Sequence, residues 1–134
     1  MESSIGELSK YRYNRAVEEL ENAQQMLIDG RYKLALNRSY YAIFHSMRAV
    51  NVLDSFDSSK HSGVIAHFNQ NHVKNGDFDK EASKIIRNAS EMREHADYED
   101  FFVASKQDAE EQTQQAECFL GFVKRYLTDK GILT

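Results

Sequence analysis

The sequence predicts an all-α protein: an up-down four-helix bundle with one extra short helix. The 134 residues include no proline and only six glycines, so few positions interrupt a helix. Hydrophobic residues recur three and four positions apart over long stretches, which is the period of an amphipathic helix. The composition, 41% hydrophobic and 28% charged, suits one buried core. We therefore expect a single domain over residues 1–134, with a core from about 5 to 128.

The segment 37–50, NRSYYAIFHSMRAV, is predicted to be the middle of a central helix that runs from Arg31 to about Leu53. Small residues at alternating spacings of four and three form one stripe, and bulky apolar residues form a second stripe beside it. A small-residue stripe lets another helix approach closely, so this helix should be central to the bundle. The small-residue stripe consists of Ala35, Ser39, Ala42, Ser46 and Ala49; the bulky stripe consists of Leu36, Tyr40, Ile43, Met47 and Val50.

The first helix is predicted from about Ile5 to Ile28. Its apolar residues keep helical spacing, whereas Glu18 and Glu19 are expected to face water. Gly30 suits the left-handed backbone conformation that ends a helix. The turn before Arg31 is so short that the first and central helices should form an antiparallel hairpin.

A short helix is predicted from about Gly63 to Asn71, between polar loops over 54–62 and 72–77. The third long helix should span about Asp79 to His95, and the segment 96–104 breaks the helical pattern.

The last helix opens at Ser105, with Asp108 three residues later as a capping box. Gly131 lies past its end.

The bulk properties exclude several classes of protein. A net charge of −4 argues against a general nucleic-acid coat protein. The single cysteine, Cys118, has no partner for an internal disulfide, and no glycine-rich phosphate loop, HExxH or CxxC motif occurs. We therefore predict no metal and no cofactor. The chain has no signal peptide or long apolar run, which predicts a cytoplasmic protein without a membrane segment.

Arg38 and His45 lie seven residues apart on the polar stripe of the central helix. Both should project from one face, about 10 Å apart along the axis. One side chain could hold a phosphate while the other moves a proton. Alternatively, Arg38 pairs with a carboxylate on a neighbouring helix and His45 is a half-buried packing residue.

Lys60 and His61 sit in a loop before a helix start, where the helix dipole attracts anions. The alternative is an ordinary solvated loop.

Arg93, His95, Asp97 and Tyr98 cluster where the third long helix ends. Arginine suits bidentate phosphate contact, histidine titrates near neutral pH, and tyrosine offers a stacking face. The alternative is a helix C-terminus favoured by cations, with Asp97 bonding backbone amides and Tyr98 packing on the core.

Three blocks, NRSYYAIFHSMRAV at 37–50, KHSGVIAHF at 60–68 and REHADY at 93–98, occur in the order typical of the HEPN family. The chain resembles the small stand-alone prokaryotic members of that family from about Glu18 to Leu127. The resemblance implies a helical bundle that forms a homodimer, with two copies of the third long helix's end near the twofold axis. It also implies a toxin–antitoxin or defence role, often beside a minimal nucleotidyltransferase that binds the HEPN protein and can modify it.

In many family members an arginine, four to six residues and then a histidine form a metal-independent ribonuclease site. Arg93 matches the arginine by position, and Tyr98 matches the tyrosine that follows the motif. The histidine is absent, because Asp97, Tyr98 and Glu99 stand in its place.

Three functions follow as hypotheses. The first is an RNA-directed protein, nuclease or degenerate RNA binder, in which Arg93 holds a phosphate, His61 or His95 carries the proton and Tyr98 stacks on a base or accepts a nucleotidyl group. The second is a non-catalytic subunit that binds a nucleotidyltransferase. The third is a plain helical dimerisation module.

Overall fold

The computed structural model describes residues 2–134, with side chains from Ser4 onward, and it confirms the all-α class. Within that range the chain forms five α-helices and no strand. A 3₁₀ turn over Val52–Asp54 follows the second helix, and a π turn over Asn69–Val73 follows the third. None of the described helices has the length and apolarity needed to span a membrane. The helices are α1 (Glu2–Ile28), α2 (Tyr32–Asn51), α3 (His61–Phe68), α4 (Lys80–Tyr98) and α5 (Lys106–Asp129).

Helix α2 is the centre of the bundle, because it packs against each of the other four helices. Both of its predicted packing stripes are buried throughout. The small-residue stripe allows close approach on two sides. From α1, the Ser9 hydroxyl donates a 2.6 Å hydrogen bond to the Ala49 carbonyl, and from α5 the Thr113 hydroxyl lies 3.5 Å from that of Ser39. The predicted hairpin of α1 and α2 is confirmed, with Gly30 at φ 75° in the turn.

Replacing Ala42 by leucine is expected to destabilise the fold by about 1–3 kcal/mol, because its side chain is fully buried where helices are closely packed. Chemical denaturation at neutral pH would measure the change. Ala66→Leu on the exposed face of α3 is the matched control and should change stability by less than about 0.5 kcal/mol. Equal effects of the two substitutions would show that the stripe is not tightly packed.

Several predicted helix ends need correction. Helix α3 begins at His61 rather than Gly63, and its turns continue to Val73 through the π turn, which shortens the predicted 72–77 loop. Helix α4 continues three residues past His95, to Tyr98. Buried Ala96 and the i, i+4 pair of Arg93 with Asp97 support this extra turn.

The capping box of Ser105 and Asp108 is confirmed at the start of α5, with each side chain bonded to the other's backbone N–H.

An aromatic cluster anchors α3 to the core. The Phe68 ring is fully buried and lies 4.9 Å from the Phe78 ring and 5.6 Å from the Phe119 ring, measured between centroids. This contact fixes the helix whose first residue is His61, so it also positions one wall of the site described next.

Candidate active site

Arg93 on α4 lies against two tyrosines of α2. Its guanidinium carbon is 4.7 Å from the Tyr40 ring centroid and 5.9 Å from that of Tyr41, within the range of cation–π attraction. Its Nη1 donates a 3.3 Å hydrogen bond to Asp97 Oδ2, and the side chain is only 15% exposed. Its buried Nε has no hydrogen-bond partner among the described residues. Arg93 is therefore a cation held in place by two tyrosine rings and one carboxylate.

His61, the first residue of α3, is joined to this cation through Tyr40. The Tyr40 hydroxyl oxygen lies 2.9 Å from His61 Nδ1, and the Phe44 ring packs 4.2 Å from the imidazole, measured between centroids. The imidazole is only partly exposed. Folding thus brings together a histidine and an arginine that lie far apart in sequence.

The electrostatics favour a neutral imidazole beside a permanent charge. Burial, followed by the positive charge of Arg93, lowers the pKa of His61 from its ordinary value. Burial raises the pKa of Tyr40 to about 12, although the Arg93 charge opposes that shift. At neutral pH Tyr40 therefore keeps its proton, and His61 is held in its neutral form.

Asp97 extends the site to α1 and α2. Its Oδ2 accepts a 3.4 Å hydrogen bond from the Asn37 amide, whose oxygen in turn accepts from the Arg38 guanidinium. Arg38 Nη1 donates a 2.8 Å hydrogen bond to Glu19 Oε2. The prediction that Glu19 faces water was wrong, because its side chain is buried in an ion pair with Arg38. For Arg38 the structure shows the pairing with a neighbouring helix that the sequence left open as one alternative.

His45 and Arg38 both lie close to the Tyr41 ring. The Tyr41 ring centroid is 5.3 Å from the Arg38 guanidinium carbon and 6.1 Å from the His45 ring centroid. The imidazole is half-buried, and burial followed by the charge of Arg15 lowers its pKa. His45 thus matches the packing alternative, although its ring and the Arg38 guanidinium both lie near the Tyr41 ring.

Three predicted site residues make no hydrogen bond, ion pair or ring contact with Arg93 within the described part of the chain. His95 Nδ1 is 2.7 Å from Glu99 Oε1, and the imidazole stacks on the Phe102 ring at 6.0 Å between centroids. Tyr98 is 73% exposed and makes no hydrogen bond or ring contact within the described part of the chain. Lys60 is exposed at the N-cap of α3, next to His61.

Three large apolar side chains between the end of α4 and Val103 are exposed, and they are called the apolar patch here. The patch consists of Tyr98, Phe101 and Val103, which are 73%, 97% and 84% exposed. Large apolar side chains that stay this exposed mark interaction surfaces when they lie together. The patch begins one residue after Asp97, so a partner bound there would lie beside the site.

Sequence reasoning missed Tyr40, which it assigned to the bulky apolar stripe. A usable signal existed, because a buried tyrosine hydroxyl needs a hydrogen-bond partner. Asn37, which joins Asp97 to Arg38, was also missed, and nothing in its sequence position marks it.

Comparisons with known proteins agree with this architecture. The HEPN domain family model matches residues 9–126. A "UPF0332 protein" of Thermotoga maritima is 33% identical over 120 residues, covering 90% of this chain and 91% of that protein. A Methanocaldococcus jannaschii protein named "Putative toxin MJ0142" is 31% identical over 134 residues, covering 94% of this chain and 91% of that protein. A second protein of that archaeon, "Putative toxin MJ0605", is 32% identical over 114 residues, covering 85% of this chain and 84% of that protein.

Proposed function

The chain belongs to the HEPN domain family, and from that membership we propose that it is a toxin-like protein that cleaves RNA without a metal ion. The observation that carries the proposal is that Tyr40 contacts both groups: the Arg93 guanidinium lies over its ring and the His61 imidazole lies within hydrogen-bond distance of its hydroxyl. His61 thereby takes the part of the histidine that is absent after Arg93 in the sequence. The names of the two archaeal relatives support the toxin-like role.

The proposed reaction is a transesterification within the RNA strand. His61 accepts the proton of a ribose 2′-hydroxyl, and the 2′-oxygen attacks the adjacent phosphorus. The bond from phosphorus to the 5′-oxygen of the next nucleotide breaks, and that oxygen leaves with a proton. Arg93 stabilises the negative charge that develops on the phosphate oxygens. The products are a 2′,3′-cyclic phosphate and a free 5′-hydroxyl.

A homodimer is part of this proposal, although one site already balances the protons. The leaving oxygen takes up the proton that His61 accepted from the 2′-hydroxyl. The apolar patch at the end of α4 supports dimerisation there, since association would cover Phe101 and Val103. With cellular RNA as the substrate, the protein acts in the cytoplasm.

A second candidate function rests on the same patch. In this alternative the protein is a non-catalytic subunit, and a minimal nucleotidyltransferase covers the apolar patch. The exposed hydroxyl of Tyr98 would then accept a nucleotidyl group from that enzyme. The specific observation in its favour is that Tyr98 has no internal partner within the described chain, whereas Tyr40 does.

Arg93→Ala is expected to lower RNA cleavage by about 100- to 1,000-fold, because it removes the charge that stabilises the transition state. Purified full-length protein would be incubated with total RNA and tRNA in chelator, and the products tested for 2′,3′-cyclic phosphate ends. Arg87→Ala, an exposed arginine on α4, is the matched control and should cleave like the wild type.

Equal loss in the two variants would contradict a specific role of Arg93. Absence of cleavage by the wild type would overturn the nuclease proposal and favour the nucleotidyltransferase subunit. Addition of a nucleotidyl group to the wild type but not to Tyr98→Phe, by a co-expressed nucleotidyltransferase, would then support that alternative directly.

A further inference from the structure

A second polar cluster joins the end of α2 to the end of α3. Asp54 Oδ2 lies 2.9 Å from His67 Nε2 and 2.6 Å from His72 Nε2. The three atoms all lie within 4.8 Å of one another. His72 is 3% exposed, whereas the Asp54 side chain is 36% exposed, so the cluster is closed on one side and open to solvent on the other.

The π turn is what brings the two histidines together. In a regular α-helix, residues five apart point about 140° away from each other. The turn over Asn69–Val73 instead closes after five residues, as shown by the 3.0 Å hydrogen bond from Lys74 N–H to the Asn69 carbonyl. His67 and His72 therefore face the same carboxylate. Single π turns are often found at functional sites.

Both ring nitrogens of His72 face carboxylate oxygens. Its Nε2 is 2.6 Å from Asp54 Oδ2, and its Nδ1 is 3.0 Å from Asp77 Oδ2. A metal ion bound at Nε2 would leave Nδ1–H to donate to Asp77. A carboxylate behind a ligating histidine is the usual support of a metal site.

We propose that Asp54 Oδ2, His67 Nε2 and His72 Nε2 bind a divalent first-row transition metal such as Zn²⁺. Two imidazoles and one carboxylate are a ligand set that such metals accept, with water in the remaining position. Metal–ligand bonds of about 2.0–2.1 Å in a tetrahedron place the ligand atoms about 3.3 Å apart. Binding therefore needs the exposed Asp54 carboxylate to move outward and the two imidazoles, whose ligand atoms lie within 4.8 Å of each other, to adjust around the metal.

The surroundings of His67 fit this role. The Phe56 ring stacks on the imidazole, with centroids 4.0 Å apart and planes 12° apart, and so fixes its orientation. The Asn71 amide nitrogen lies 3.2 Å from His67 Nδ1. On metal binding Nδ1 carries the proton, so the Asn71 amide turns to present its oxygen. The bound metal would tie the segment after α2 to the end of α3.

The test uses the full-length protein after removal of metals by a chelator. One Zn²⁺ per chain should bind, measured by competition with a chromophoric chelator, and Co²⁺ should give the visible absorption of a four-coordinate site. Saturating Zn²⁺ should raise the melting temperature by about 5–10 °C. None of these readouts depends on RNA cleavage, which under the proposed function proceeds in the presence of a chelator.

His67→Gln should weaken Zn²⁺ binding at least about tenfold and abolish the thermal shift. His67 is the variant of choice because it is partly exposed, unlike buried His72. His95→Gln, at an exposed histidine outside the cluster, is the matched control and should bind Zn²⁺ like the wild type. No binding to the wild type, or equal binding by both variants, would overturn the proposal.

Discussion

His61→Gln is expected to lower RNA cleavage by about 100- to 10,000-fold, the range for losing a general base or acid. The substitution keeps a polar side chain near Tyr40 and leaves the Arg93 guanidinium in place. Substrate binding should therefore survive while the chemical step slows. Single-turnover cleavage of a defined RNA would measure the loss, with circular dichroism to confirm folding.

The pH dependence of that reaction tests the same assignment. Burial and the Arg93 charge lower the pKa of His61, so cleavage by the wild type should rise with pH below the ordinary histidine value of about 6.5 and level off near neutrality. Removal of the Arg93 charge favours the protonated imidazole and so raises the pKa of His61. The residual cleavage by Arg93→Ala should therefore begin to rise at a higher pH than cleavage by the wild type does. His95→Gln is the control. If it slowed cleavage as much as His61→Gln, the assignment of the base to His61 would be wrong.

Phe68→Ala is expected to reduce the free energy of unfolding by about 3–5 kcal/mol, because it opens a cavity among fully buried aromatic rings. The loss is a large fraction of the stability of a domain this size. Urea denaturation monitored by circular dichroism would measure it. RNA cleavage should also fall, since Phe68 anchors the helix that carries His61.

Phe101→Ala removes the same ring from a side chain that is 97% exposed. Its effect on monomer stability should be below about 0.5 kcal/mol, whereas association through the apolar patch should weaken. If Phe68→Ala and Phe101→Ala lowered the free energy of unfolding equally, the aromatic cluster around Phe68 would stabilise the core no more than an exposed ring does.

Much of the fold is predictable from the sequence because helical periodicity is a local signal. The small-residue stripe identifies α2 as the central helix, and Ser105 with Asp108 identifies the start of α5. The predicted ends of α3 and α4 were less accurate, because those ends depend on tertiary contacts such as the burial of Ala96. Helix propensity alone carries no information about such contacts.

The candidate site was only partly predictable. The family pattern pointed to Arg93, and the basic pair before α3 pointed to His61. Their connection through Tyr40 depends on how three helices pack, and no spacing along the chain encodes it. The pairing of buried Glu19 with Arg38 was hidden for the same reason, since a glutamate among other acidic residues usually faces water.

The π turn at Asn69–Val73 has a consequence for chain length. It holds one residue more than an α-helical turn, so it amounts to a single-residue insertion within a helix. Deleting Gln70 would remove the extra residue and place His67 and His72 four residues apart on a regular α-helix, about 40° apart around its axis, so both could still face Asp54. The π turn is therefore needed only for the spacing of five that this chain has. A homologue with both histidines four residues apart could form the pair on a regular helix, whereas one with five needs this same insertion.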